Sequence, residues 1–390
     1  MKGYLRNDGR KGIRNLVAVT YLVECAHHVA QRIVDSFPDD DIHLIGFGGC
    51  APNAYAEKVM QQLCTHPNVG GVVIVSLGCE NFQRDKLLQR VTESGRMGEL
   101  IVIQENGGTR SSIEKGVVAV RGMLSRLNQV PVVDFLWSDL MVGTVCGGSD
   151  ATSGFTANPA VGKTFDKLIA KGATCIFEEP GELIGCEHLM RQRGATTEIG
   201  EQLFQCVRKA DAYYKKMGHD SFSEGNAVGG LSTIEDKSLG SYSKSGSHPI
   251  NGLLYPGDQP PQSGLYFMDV VPDGEALWGF PNVNDNAEIV EMIACGCHLI
   301  LYTSGRGSVA GSAISPVIKV CGNPHTCQAL SEDIDINASR IISEGASLED
   351  ISEETIAYIH HIINGNQTKS EALGHREFHL GYKYFDACQG

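Results

Sequence analysis

Four cysteines stand where metal chemistry could be done. Cys25, Cys50 and Cys79 each close a short apolar run: LVAVTYLVEC, IHLIGFGGC and VVIVSLGCE. Such runs predict buried strands with a thiol at the tip. If the three strands are parallel neighbours, the thiols emerge at the carboxyl edge of one sheet, where open α/β folds place their ligands. Three thiolates there suit iron, an iron–sulfur cluster or zinc. Zinc more often uses closely spaced ligand pairs, so iron is the expectation, as Fe2+ or as a cluster. Cys146 closes a further run, in TVCGGSD, and is either a fourth ligand or a wall of the site. The bland alternative is that strand-end Gly-Cys pairs are tight turns with buried thiols.

Glycine-rich turns also follow strands, at Gly107-Gly108, Gly147-Gly148, Gly229-Gly230 and Gly305 to Gly307. Backbone N–H groups in such turns can approach an anion. Arg306, between two of these glycines, and Lys319, on a later strand, could supply charge to a carboxylate. Glu80, Asp150, Glu178, Glu179, Glu182, Glu187, His188, Glu235 and Asp269 all sit near strand ends or in a long loop, and burial could turn any of them into a general base. Gly46-Phe47-Gly48-Gly49-Cys50-Ala51 fits a dinucleotide fingerprint, but it follows the second strand and runs into Pro52, so a dinucleotide-dependent oxidoreductase is only a remote alternative.

The elements that would position these residues alternate between strand and helix. Four βα units fill residues 16–127, and a second α/β region begins near Leu140. Pro131 and the polar break at Ser138-Asp139 mark the boundary. The expected architecture is two Rossmann-like parallel-sheet domains packed together, 1–135 and 136–390. The second would contain a long irregular loop, 218–263, and a C-terminal helix followed by a tail. Residues 3–15 (GYLRNDGRKGIRN) carry four basic residues and read either as a solvated arm or as an anion-binding loop.

Bulk properties narrow the function. The 390 residues are 42% hydrophobic and 20% charged, an ordinary globular mixture. A formal charge of −14 argues against nucleic acid or an anionic membrane as partner and leaves an anionic small molecule open. No apolar run reaches membrane-spanning length, and the N-terminus carries no apolar leader, so a cytoplasmic location is expected. Of the 13 cysteines, Cys64, Cys175, Cys206, Cys295 and Cys297 read as core residues.

The motifs together resemble the altronate and galactarate dehydratase family. They are DGRKGIRN (8–15), LGCEN (77–81), CGGSDATSG (146–154), ANPAVG (157–162), GNAVGGLSTIEDKSLG (225–240), GLYFMD (264–269), TSGRG (303–307) and PVIKVCGN (316–323). The resemblance implies an iron-dependent lyase acting by β-elimination on a hydroxy acid. On these motifs the expected catalytic groups are Glu80, Asp150 and Lys319. Arg14, Asn106, Gly107, Ser149, Asn226, Thr233 and Arg306 are expected to bind substrate, and Cys25, Cys50, Cys79 and Cys146 to bind metal. Family dehydratases carry an added small domain of the SAF type, whereas this sequence opens on the GYLRNDGRKGIRN motif. That implies a separate small SAF-type subunit and a hetero-oligomer. The second cysteine also lacks the H-x-x-G-C turn usual in the sugar-acid enzymes. Both departures point to the branch that converts sulfolactate to pyruvate and sulfite; the alternative is a sugar-acid dehydratase.

Overall fold

The computed structural model describes residues 1–38, 41–218, 221–274 and 283–386. The chain opens with two short strands, β1 (Lys2–Leu5) and β2 (Lys11–Gly12). It continues through β3 (Leu16–Tyr21), α1 (Glu24–Val34), β4 (Ile42–Gly46), α2 (Ala54–Cys64), β5 (Val69–Ser76), α3 (Arg84–Glu93), β6 (Met97–Val102) and α4 (Thr109–Leu127). Strands β3 to β6 form a parallel sheet in the order β4-β3-β5-β6. Every residue of β5 is buried, as expected of a strand covered on both faces. Alternation along β3 divides the faces. Val17 and Val19 pack under α1 and α4, while Leu16 and Ala18 face α2 and the second half of the molecule.

After α4, strand β7 (Val132–Asp134) returns to pair antiparallel with β1. The second half runs β8 (Met141–Cys146), α5 (Ala157–Ala170), β9 (Thr174–Phe177), α6 (Glu187–Arg193), α7 (Thr197–Lys216), α8 (Glu224–Val228), α9 (Ile234–Ser243), β10 (Ile250–Leu254), β11 (Gly264–Met268) and α10 (Asp285–Ala294). It ends with β12 (Leu299–Ser304), β13 (Val317–Cys321), α11 (Pro324–Ala329), β14 (Ile336–Asn337), α12 (Arg340–Ser343), α13 (Leu348–Ile363) and α14 (Lys369–Leu373). Its seven strands are parallel, in the order β10-β11-β9-β8-β12-β13-β14. One core joins the two large sheets: Met60 and Leu63 of α2 share a cluster with Val145, Met292 and Ile300. The outer face of the seven-stranded sheet is covered by α5 and by α13, whose Ile351, Ile359 and Ile362 lie on one helical stripe. No helix of the described residues is long and apolar enough to cross a membrane.

The α/β class and the two parallel sheets match expectation, but a third sheet, antiparallel and three-stranded, is added by the N-terminal hairpin and β7. The arm 3–15 is neither solvated nor a binding loop, because its cations are used internally. Arg6 is buried and donates to Pro67 O (2.6 Å) and Asn15 Oδ1 (2.7 Å). Arg10 pairs with Asp8, Lys11 with Asp139 and Arg14 with Glu371. The segment 218–263 is not an irregular loop. It contains α8, α9 and β10, whose short helices are fixed by caps: Asn226 with Ser223, and Thr233 on Asp236 N. Capping leaves little apolar periodicity to read. Cys25 is not a strand tip, since β3 stops at Tyr21 and Cys25 is the second residue of α1.

The C-terminal tail is a strap. Leu380 and Phe385 enter the shared core. Between them Lys383 is fully buried and pairs with Glu291 of α10 at 2.7 Å. Tyr55 of α2 donates to the same carboxylate at 2.5 Å.

Candidate active site

In the seven-stranded sheet the chain leaves β8 toward β9 on one side, while β12 returns on the other. The carboxyl ends of β8 and β12 therefore flank a topological switch point, the usual ligand position in such sheets. The turns after these strands are laced together: Gly147 N donates to Thr303 O (3.0 Å), and Arg306 N to Gly148 O (2.8 Å). A side chain at Gly305 would fall 1.9 Å from Asp150 Oδ1, so that turn requires glycine. Asp150 itself is a strut. Its Oδ1 accepts from Thr152 N, Thr152 Oγ1 and Ser153 N, and its Oδ2 from Asn323 Nδ2 at 2.8 Å.

Charge is concentrated at this edge. Lys244, fully buried just beyond α9, donates to Glu179 Oε2 and lies 3.5 Å from Cys146 Sγ. Cys146 N donates to the same carboxylate oxygen at 2.9 Å. Burial pushes the Cys146 thiol pKa up, opposed by Lys244. Glu179 is the one non-glycine among the described residues with positive φ, +75°. Such a conformation costs about 1–3 kcal/mol and persists where its surroundings hold it. Lys237 of α9 pairs with Glu182 at 2.6 Å and donates to Ser221 O, also at 2.6 Å. Burial raises the Glu182 pKa, opposed by Lys237. Glu178 is wholly buried, and neither carboxylate oxygen has a hydrogen-bond partner. Burial, then Glu288, hold it well above the usual carboxylate range. Glu288 is pushed up to about 8 by burial and then by Asp285, which accepts a hydrogen bond from Tyr302.

Of these groups Cys146, Glu182, Lys237 and Asp285 border an open cleft of about 500 Å³, lined also by Ser149, Ser221, Asn226 and Arg306. Arg306 donates to Gly225 O at 2.7 Å and forms no ion pair with a described residue. Behind the cleft is a polar cavity of about 80 Å³ bordered by Glu179, Glu182, Asp285 and Glu288.

The edge of the four-stranded sheet is different. Cys25, Cys50 and Cys79 are all exposed free thiols on the segments that follow the neighbouring strands β3, β4 and β5. Backbone bonds tie these segments together, Glu24 N to Gly48 O (3.1 Å) and Asn81 N to Cys50 O (2.8 Å). Glu80 accepts from Gly78 N through Oε2 (2.9 Å), and its buried Oε1 has no partner. Asn106 and Gly107, beyond β6, shape the start of α4, with Asn106 Nδ2 3.4 Å from the hydroxyls of Ser111 and Ser112.

The structure thus sorts the sequence-derived residues. Cys146, Ser149, Asn226 and Arg306 meet in the cleft, Asp150 braces its floor, and Thr233 caps the helix that carries Lys237. Cys25, Cys50, Cys79, Glu80, Asn106 and Gly107 lie at the other edge, and Cys146 is not brought together with the three exposed thiols. Arg14 and Lys319 are at neither. Arg14 clamps Glu371 and the carbonyls of Ile362 and Asn366. Lys319 is buried mid-strand with no partner for Nζ, and burial lowers its pKa. Sequence reasoning missed Lys237, Lys244 and Glu288. The signal for the lysines was their place in a Ser/Gly-rich stretch with little apolar content; Glu288, inside an ordinary helical pattern, left none.

Fold and cleft define an α/β protein with buried acid–base groups at a strand edge. The sequence narrows this to a family. The model of the D-galactarate/altronate dehydratase C-terminal domain matches residues 137–385, and that of the D-galactarate dehydratase/altronate hydrolase second domain matches residues 3–128. The chain belongs to the D-galactarate/altronate dehydratase family. It is 31% identical to the (2R)-sulfolactate sulfo-lyase subunit beta of Chromohalobacter salexigens, over 99% of this chain and 98% of that one. It is 28% identical to an altronate dehydratase of Bacillus subtilis, over 96% and 76%. It is 30% identical to the galactarate dehydratase (L-threo-forming) of Escherichia coli, over 94% and 73%.

Proposed function

We propose that the chain is a lyase that eliminates water from a sugar monoacid of the altronate type, at the cleft between β8 and β12. The observation that carries this reading is a lone guanidinium in a cleft whose other charged groups, Lys237 with Glu182 and Asp285 with Tyr302, are partnered. Among the described residues lining the cleft, Lys237 is neutralised by Glu182, and Arg306 is the cation with no carboxylate partner. One free guanidinium suits one carboxylate. Ser149, Ser221, Ser223 and Asn226 suit a polyhydroxylated chain. Galactarate and sulfolactate, each carrying two negative charges, find less compensation there.

The chemistry requires loss of a proton beside a carboxylate and departure of a hydroxyl from the next carbon. Arg306 holds the carboxylate. Glu182, its basicity raised by burial, takes the proton, and Lys237 against it stabilises the developing enediolate charge. Glu182 then hands that proton to the departing hydroxyl, which leaves as water. The enol product relaxes to a 2-keto acid.

Iron, which the family resemblance implies, finds suitable donors in Cys25, Cys50 and Cys79. One ion would draw its donors to within about 4 Å of each other, given metal–sulfur bonds of about 2.3 Å. The three thiols are not so close, because among the described residues the one tight donor group is an acidic trio. A cluster spreads its cysteines over several irons, which fits three exposed thiols on separate, laced segments better. When bound it would supply a Lewis-acidic iron.

A second reading, sulfite release from sulfolactate, is favoured by the coverage of the sulfo-lyase subunit from end to end. That relative's name also supports assembly with a small partner subunit. The test is an anaerobic assay of the iron-loaded chain, alone and with a small SAF-type subunit, on altronate, galactarate and sulfolactate. Keto acid from altronate above the other two is expected. Sulfite from sulfolactate with no keto acid from altronate would replace the first reading by the second.

A further inference from the structure

The acidic trio behind the cleft does not look like an ordinary ion-pair cluster. Glu178, Glu179 and Glu288 place one carboxylate oxygen each within 4.8 Å of the others. Among the described residues Lys244 is the one cation bonded to the trio, through Glu179. Three buried carboxylates this close, with one ammonium bonded to them, do not all stay ionised unless a further cation joins them. A second observation concerns Glu178 alone. Its side chain is 0% exposed, lies against the other two carboxylates, and has no hydrogen-bond partner at either oxygen. Buried carboxylates are almost always partnered, so an orphan at both oxygens calls for a partner that the protein's own side chains do not supply.

We propose that Glu178, Glu179 and Glu288 form a binding site for a single divalent cation of the oxygen-preferring class, Mg2+, Mn2+ or Fe2+. Carboxylate donors select hard or borderline ions, not the soft ions that thiolates select. One divalent ion, displacing the protons that burial otherwise retains, would let all three carboxylates ionise. The adjoining 80 Å³ cavity leaves room for water on the ion. Glu182 and Asp285 border both that cavity and the substrate cleft, so the two adjoin. This site is separate from the thiols of the other edge. Binding does not depend on the elimination chemistry, so the two can fail independently.

The test is a titration of the full chain, stripped with chelator, with Mn2+ followed by electron paramagnetic resonance and calorimetry. One Mn2+ per chain is expected, displaced by Fe2+ under anaerobic conditions. Glu178→Gln and Glu288→Gln should each weaken binding by about tenfold or more, and Cys79→Ser should leave it unchanged. Unfolding midpoints verify that each variant is folded. If Glu178→Gln does not fold, Glu288→Gln carries the comparison, with Glu178→Asp expected to keep most of the affinity. Failure of the folded wild type to bind Mn2+, or binding unaffected by loss of these carboxylates, would overturn the proposal.

Discussion

The two carboxyl edges of this molecule solve opposite problems. At the four-stranded sheet, thiols are left open to solvent, and the segments that carry them are fixed by backbone hydrogen bonds. At the seven-stranded sheet, lysines and carboxylates are taken out of water, and one carboxylate is left without a partner. Burying charge costs stability unless it is paired. Buried, shifted groups in a cleft are where acid–base chemistry is expected, whereas exposed soft donors on a rigid frame collect a metal. Under the proposed function, proton transfer falls to one edge and soft-metal binding to the other. The C-terminal strap joins them: Tyr382 donates to Ala51 O beside Cys50, and Lys383 locks the helix that carries Glu288.

The strap gives the largest expected effect. Lys383→Met leaves Glu291 buried without its cation and should cost about 3–5 kcal/mol, read as a fall in the denaturation midpoint. A loss below about 1 kcal/mol would mean that the two edges are not held together through this pair. Next is Arg306→Gln, which removes a charge-assisted contact of about 1.5–3 kcal/mol. It should raise KM for the sugar acid by about 10- to 100-fold with a smaller change in kcat. An unchanged KM would move carboxylate recognition away from the cleft.

How much of this was legible beforehand follows the same divide. The thiol edge was visible because a parallel strand announces itself as an apolar β-branched run, and Gly78-Cys79 ends one. Even there, Leu22 and Val23 extended the first run by packing into the core after the strand had ended, which hid Cys25 at the start of a helix. The charged edge was half visible. Cys146, Ser149 and Arg306 sit in glycine turns that sequence reveals. Lys244 meets Glu179 across 65 residues, and nothing local encodes that meeting. Lys319 failed for the converse reason: its strand was readable, but not that its side chain lies buried within the sheet's packing, away from the cleft.

The thiol edge can be tested by labelling. In iron-free protein Cys25, Cys50 and Cys79 should react with a thiol reagent before the nine buried cysteines of the described chain, and iron loading under anaerobic conditions should protect all three. Protection of none would remove the cluster from this edge.

The smallest effect concerns pH. Met141 N donates to His298 Nδ1, so Nε2 carries the proton and donates to Lys11 O at 2.9 Å. Burial holds the His298 pKa down at about 4. The unfolded chain, with its histidine near 6.5, binds the proton more readily, so this group's stabilisation is full above about pH 6.5 and is lost as pH falls toward 4. Denaturation midpoints should decline across that window, and less steeply in His298→Gln. Equal slopes would mean that His298 is not held neutral at the joint between the two halves.

The most direct test of the central claim, that proton abstraction occurs at the buried charged edge, is the steady-state rate of keto acid formation from altronate by Glu182→Gln. The assay compares it with wild type, both iron-loaded under anaerobic conditions and equal in unfolding midpoint. A fall in kcat of at least about 100-fold is expected, the scale of a lost general base. A rate equal to that of the wild type would contradict the assignment and return the search for the base to Glu80 and the thiol edge.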